Sequence, residues 1–168
     1  MTGKSNRIFN IVFAAMIAAL YVALTFVSSA FGLASGVIQV RLSEVLTVLP
    51  YFTPAAIPGL AIGCLLSNWL TGCSLPDIIF GTVATLIGAV GTYLLRKFKW
   101  MAPVPPIVAN MLIVPWVLRL SYGVPDSIPY MMATVGTGEV ISCGMLGMAL
   151  LIALKPVSGT LFHNDAMK

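Results

Sequence analysis

Charge is what this sequence has least of. Nine basic and five acidic residues make up 8% of 168 positions, against about 25% in an ordinary soluble domain. So few charges cannot cover a water-facing surface of that size. Hydrophobic residues reach 59%, and a mean hydropathy of +1.01 calls for apolar surroundings. Histidine is nearly missing as well. The single one, His163, lies outside the long apolar runs, which argues against a histidine-based metal centre. Cys64, Cys73 and Cys143 show no CxxC spacing and sit in apolar stretches, so they read as small hydrophobes rather than disulfide or metal partners. There is no GxxxxGK[ST] phosphate loop, no HExxH and no GxSxG, so neither ATP hydrolysis by that route nor hydrolase chemistry is expected, and no cofactor is implied. The net charge of +4 does not mark a nucleic-acid binder, because the charges fall in short runs between apolar stretches. A membrane protein keeps its orientation signals there. What remains is an all-α integral membrane protein with a single membrane domain over residues 1–168.

Six helical segments are expected, at about 8–31, 42–53, 58–71, 77–95, 104–122 and 130–154. Lys4 and Arg7 followed by an apolar run resemble a secretory signal. The run to Phe31 is nevertheless too long for a signal core of about 7–15 residues, and long enough to cross about 30 Å of hydrocarbon. The second and third segments are interrupted at Thr53-Pro54-Ala55-Ala56-Ile57-Pro58-Gly59. Neither is clearly long enough to span alone, so they form either two short helices or a hairpin returning to one face. Pro103, Pro105 and Pro106 suit the first turn of the fifth helix, and Pro115 is expected to kink it.

Orientation follows from the basic residues. With both termini in the cytoplasm, Lys4, Arg7, Arg96, Lys97, Lys99, Lys155 and Lys168 lie inside, and only Arg41 and Arg119 outside. Seven against two favours an even number of crossings, six, with both ends cytoplasmic. Trp69, Trp116 and Tyr122 then fall near the outer interface and Trp100 near the inner one.

Glu139 is the residue most in need of explanation. A carboxylate deep in a membrane helix costs about 2.5–3.5 kcal/mol, so it requires a partner, a proton or a polar cavity. Its own face carries Val135, Gly136, Ser142 and Cys143. Asn110, one turn past the prolines of the fifth helix, either bridges helices or bonds a ligand beside Glu139. Arg41 and Glu44, three residues apart, pair with each other by default, as Arg119 and Asp126 do. Asn68, Trp69 and Asp77 flank the outer turn between the third and fourth segments, as interface anchors or as the mouth of an outward-facing pocket.

Small residues recur at four-residue spacing, which lets helices approach closely. Gly59/Gly63 and Ala84/Gly88/Thr92 read as packing within the chain. Ala14, Ala15, Ala18, Ala19 and Ala23 are too many for one internal contact, so part of the first helix is expected to offer a face to another membrane subunit.

The run Arg41-Leu-Ser-Glu-Val-Leu-Thr-Val-Leu-Pro-Tyr-Phe-Thr-Pro-Ala-Ala-Ile-Pro-Gly59 resembles the QueT family, as do Asp77-Ile-Ile-Phe-Gly81, Pro105-Pro106 followed by Asn110, and Gly138-Glu139. The resemblance runs from about Ile8 to Leu154. It implies the fold of an S component of an energy-coupling factor (ECF) transporter, a six-helix bundle in a prokaryotic plasma membrane that captures queuosine precursors. It further implies a membrane coupling subunit, docked on the alanine face of the first helix, and two cytoplasmic ATPase subunits that perform the ATP hydrolysis. Those precursors are 7-deazaguanines. Their N1–H and 2-amino group fit the Glu139 carboxylate, their ring carbonyl fits Asn110, and Trp69, Trp116 or Tyr130 are candidates to stack on the base. An aminomethyl substituent would add a cation, for which Glu44 or Asp77 is the candidate partner. Two other readings compete: an S component for a different vitamin-like solute, and a stand-alone proton-coupled carrier with Glu139 as its relay. Carriers commonly contain paired repeats, and none is evident. A membrane enzyme is the remaining option.

Overall fold

The computed structural model describes residues 3–33 and 38–162, with side chains from residue 7 onward. His163, Lys168 and the side chain of Lys4 lie outside the described residues. Every regular element within them is helical. Helix α1 spans Gly3–Ala30, a ten-residue 3₁₀ helix spans Leu42–Tyr51, and α2, α3 and α4 span Ala56–Leu70, Leu75–Leu94 and Val104–Tyr122. The last long helix is α5 (Ile128–Glu139), continued by a π-helical stretch (Val140–Leu146) and α6 (Gly147–Leu154), with a final turn α7 at Ser158–Leu161.

Among the described residues four helical stretches are long and apolar enough to cross a membrane: Arg7–Ala30, Leu75–Leu94, Lys99–Tyr122 and Ile128–Leu161. The apolar helix α2 is shorter. The bundle is inverted relative to a soluble protein. Ile11, Leu94 and Leu120 are 68%, 70% and 81% exposed, whereas Glu44, Asp77, Asn110 and Glu139 are buried. Apolar side chains outward and carboxylates inward make physical sense only in a hydrocarbon solvent.

Local chemistry explains the element ends. Helix α3 starts where the Ser74 hydroxyl caps the Asp77 N–H at 3.4 Å, with Pro76 in the first turn and Asp77 at the positive end of the dipole. Helix α4 runs without interruption through Pro115 and stops at Gly123, which takes φ +63°, the left-handed conformation that closes a helix cheaply.

Close helix approaches use the small residues. A Cβ at Gly59 would sit 2.7 Å from the Ala14 carbonyl, and one at Gly63 would sit 2.7 Å from Tyr21 Cβ and 3.2 Å from Ala18 Cα. In the same way Gly88 and Gly91 accept Pro106 and Pro105, which lie 2.7 and 2.5 Å from where their Cβ atoms would be. The α1–α2 and α3–α4 contacts are therefore set by glycine on one helix and alanine or proline on the other.

The 3₁₀ helix is the buried centre of the bundle. Ser43, Glu44, Leu46, Thr47, Val48, Leu49 and Pro50 are all buried, while Leu42, Val45 and Tyr51 are only partly so. With three residues per turn, side chains three apart eclipse. Ser43/Leu46/Leu49 and Glu44/Thr47/Pro50 thus form two inward rows. Gly147 gives this segment room, since a Cβ there would lie 2.9 Å from Val48. Below it Phe52 stacks on Phe162, ring centroids 4.9 Å apart.

Candidate functional site: a buried pair of carboxylates

Glu139 ends α5 where the helix widens into its π-helical stretch, a geometry common at functional sites. Its side chain points into the bundle, 7% exposed. The Asn110 amide, brought from α4, donates to Glu139 Oε1 at 3.0 Å. The Cys143 thiol, one turn on, donates to Glu139 Oε2 at 3.1 Å. The expensive carboxylate therefore receives a donor on each oxygen.

The second carboxylate comes from the 3₁₀ helix. Glu44 is 2% exposed, and the Tyr21 hydroxyl of α1 donates to its Oε1. Its Oε2 is buried and takes no hydrogen bond among the described residues. Thr47, eclipsed with Glu44, donates to the Glu44 carbonyl at 2.6 Å and lies 3.2 Å from Cys143 Sγ. Donor atoms of Glu44, Glu139 and Cys143 all fall within 4.8 Å of one another.

Gln39 and Arg41 cover this cluster. The Gln39 backbone lies directly over Gly138, close enough that a Cβ at 138 would collide with its carbonyl oxygen. Beneath it is a cavity of about 20 Å³ lined by Gln39, Arg41, Asn110, Val114, Val135 and Glu139. That is room for about one water, whereas drug-sized ligands occupy pockets of roughly 300–1,000 Å³. Arg41 lines that cavity together with Asn110 and Glu139.

The structure brings together Glu139, Asn110, Arg41 and Glu44 of the residues singled out from sequence. Glu44, expected to pair with Arg41 by default, accepts from the Tyr21 hydroxyl. Asp77 is buried nearby but engaged: Tyr122 donates to its Oδ2 at 3.0 Å and in turn accepts the Ser74 N–H at 3.1 Å. Asn68 is buried at Gly81, its amide 3.6 Å from Cys64 Sγ. Trp69, Trp116 and Tyr130 are 65%, 51% and 49% exposed, and none lines the cavity at Glu139. Trp116 instead lines a separate apolar groove of about 610 Å³ between α3 and α4. Tyr21, Thr47 and Gln39 are site residues that sequence reasoning did not single out, and Cys143 is one it read as a plain hydrophobe.

A second surface lies on the opposite side of α1. Ala14, Ala15, Ala18, Ala19 and Ala23, with Pro54, Pro58, Ile62 and Leu66, line an apolar groove of about 1010 Å³. Ala18 is buried against α2, whereas Ala15, Ala19 and Ala23 form an exposed stripe.

The sequence matches the QueT transporter family over residues 11–156. It is 36% identical over 97 residues to the queuosine precursor transporter QueT of Lactococcus lactis subsp. cremoris (strain MG1363), a match covering 57% of this chain and 57% of that relative. No solved structure matches. With residues 11–156 inside the family match, the chain belongs to the QueT transporter family.

Proposed function

We propose that this chain is the substrate-capturing S component of an ECF-type importer, taking up a queuosine precursor of the 7-deazaguanine class. The observation that carries the reading is the Asn110–Glu139 pair, an amide and a carboxylate bonded at 3.0 Å inside the bundle beside a small cavity. A carboxylate accepting two parallel N–H groups is the geometry the N1–H and 2-amino edge of a deazaguanine requires. Asn110 is adjacent and supplies the donor for the ring carbonyl. Gln39 and Arg41 must move off Gly138 to admit a fused bicyclic base and then reclose over it.

Six crossings with both termini cytoplasmic complete the proposal: the four long apolar stretches plus the 3₁₀ helix and α2, oriented by the excess of basic residues on one side. Ala15, Ala19 and Ala23 are the face for a membrane coupling subunit, since small exposed residues in register permit close helix contact. Two cytoplasmic ATPase subunits would supply the energy, as this chain carries no phosphate loop of its own.

Calorimetric titration of the purified chain with deazaguanines, with guanine as a control, tests the capture reading. Tight binding without any partner is expected. Glu139→Gln should weaken it about 10- to 100-fold, the worth of one charge-assisted hydrogen bond. Unchanged affinity in that variant would remove Glu139 from the base-recognition role.

A further inference from the structure

The lipid-facing side of α3 and α4 carries a hollow that the base-binding reading does not use. Gly88 and Gly91 draw the two helices together against Pro106 and Pro105. Towards their other end the helices leave an apolar groove of about 610 Å³, walled by Phe80 of α3 and by Leu112, Ile113, Trp116 and Leu120 of α4. Ser74 and Ser121 line it as well, where the spans Leu75–Leu94 and Lys99–Tyr122 begin and end. Neither Asn110 nor Glu139 lines it. From Leu112 to Ser121 the groove follows nine residues of α4, roughly 14 Å in a helix. Half of a hydrocarbon core about 30 Å thick is nearly the same length. The groove is thus one leaflet deep, apolar towards the midplane and polar at the surface.

Surrounding hydrocarbon narrows the choice of occupant. Left vacant, the walls forfeit dispersion contacts, and apolar walls give water too few polar partners. Two groups at the polar end lack partners of their own. The Ser121 hydroxyl takes no hydrogen bond among the described residues, although a helical serine can donate to the carbonyl one turn back. Arg119, exposed in the last turn of α4, forms no ion pair among them, Asp126 included. We infer that the groove is a phospholipid site. One acyl chain lies along the α4 wall, an ester oxygen accepts the Ser121 hydroxyl, and the phosphate faces the Arg119 guanidinium, whose methylene stem carries the charge to headgroup level. An anionic headgroup is favoured over a zwitterionic one, because a choline ammonium offsets the charge that attracts Arg119. The site is independent of what binds at Glu139.

The test uses the full chain with Trp69→Phe and Trp100→Phe, which leaves Trp116 as its one tryptophan. It is placed in phosphatidylcholine vesicles holding a minor fraction of brominated-chain phosphatidylglycerol or brominated-chain phosphatidylcholine. A matched chain keeps only Trp69, which is exposed outside this groove and reports ordinary boundary lipid. Bromine quenching at Trp116 should show phosphatidylglycerol enriched about 2- to 5-fold over phosphatidylcholine, the worth of one basic residue at a charged headgroup, with no enrichment at Trp69. Arg119→Gln should abolish the enrichment, and Ser121→Ala should lower quenching by both lipids. Should either variant not fold, the contrast between Trp116 and Trp69 carries the test. Equal enrichment at the two tryptophans would reduce the groove to boundary lipid and overturn the inference. Enrichment retained in Arg119→Gln would overturn the phosphate contact. A Trp116 that neither lipid quenches would show protein covering the groove and overturn the inference too.

Discussion

Gly138 offers the most direct handle on how the pocket is covered. In this structure a methyl group at position 138 would collide with the Gln39 carbonyl oxygen and lie 3.0 Å from the Gln39 carbonyl carbon. Both obstacles are backbone, so no side-chain rotation relieves them. Gly138→Ala therefore forces the Gln39–Arg41 segment off the site. Overpacking of this kind costs about 1–3 kcal/mol, and that penalty falls only on the closed arrangement. The helix itself gains up to about 1 kcal/mol from replacing glycine by alanine, in the open and closed states alike. Global stability should change little while the closed-to-open ratio falls about 5- to 150-fold. If ligand is held under the cover and the empty chain is mostly open in solution, its apparent dissociation constant rises by the same factor, chiefly through faster release. The assay is titration and stopped-flow release on the variant, with Gly136→Ala as control. A Cβ at Gly136 meets Met111 Sδ at 3.0 Å, the far end of a flexible side chain that can swing away. Wild-type affinity and release rate in Gly138→Ala would refute the idea that this backbone contact is the cover.

Two further outcomes separate structural from functional polar residues. Tyr122→Phe removes the donor to Asp77 Oδ2 and the acceptor for the Ser74 N–H; thermal unfolding in detergent should show a loss of about 1 kcal/mol, with solute affinity within two-fold of wild type. Ala19→Trp puts a bulky ring on the exposed stripe of α1 and should leave solute binding intact. Co-purification with a coupling subunit and uptake in cells should both be lost, and retained uptake would move the docking face elsewhere.

The sequence carried some of this plainly. The cost of a membrane carboxylate singles out Glu139, and the same reasoning finds Asn110, although 29 residues separate them and only the fold reveals their bond. The fourth segment is expected from residue 77, and α3 begins two residues earlier, at Leu75, behind the Ser74 cap. The Arg41–Glu44 relation was not legible, because pairing three residues apart assumes both lie on one helix. Arg41 is instead an extended cap residue (φ −100°, ψ 108°) just outside the 3₁₀ helix to which Glu44 belongs. Tyr21 is the one tyrosine in a helix of alanine, isoleucine, valine and phenylalanine, where an aromatic ordinarily reads as an interface residue. Its role depends on Glu44 arriving from another segment. Trp69, Trp116 and Tyr130 carry the same ambiguity in reverse. Aromatic rings suit a ligand and a bilayer interface equally, and their exposure favours the interface.

What could not be read from periodicity is concentrated at the two carboxylates. Glu44 sits in a 3₁₀ helix of ten residues, where runs beyond three or four are uncommon. Glu139 sits at the join between α5 and a seven-residue π stretch. An ordinary α-helix over 42–51 would turn Thr47 about 60° away from Glu44, since residues three apart advance 300° rather than a full turn. The 3₁₀ turn instead eclipses Glu44 and Thr47, so that the Thr47 hydroxyl meets both the Glu44 carbonyl and the Cys143 thiol. The widened turn after Glu139 lets Cys143 reach back to Glu139 Oε2 and also to the Glu44 carbonyl at 3.4 Å. Each departure thus supplies a contact that links the acids, and each is held in place by packing rather than by local preference. Glycine at 138 and 147 admits the covering segment and the 3₁₀ helix to the last helix. Distorted backbone within hydrocarbon is tolerated where it is buried in protein or lines a polar cavity. The 3₁₀ helix is buried and the π stretch turns Ser142 and Cys143 inward, so the irregular backbone is confined to the interior around the two acids.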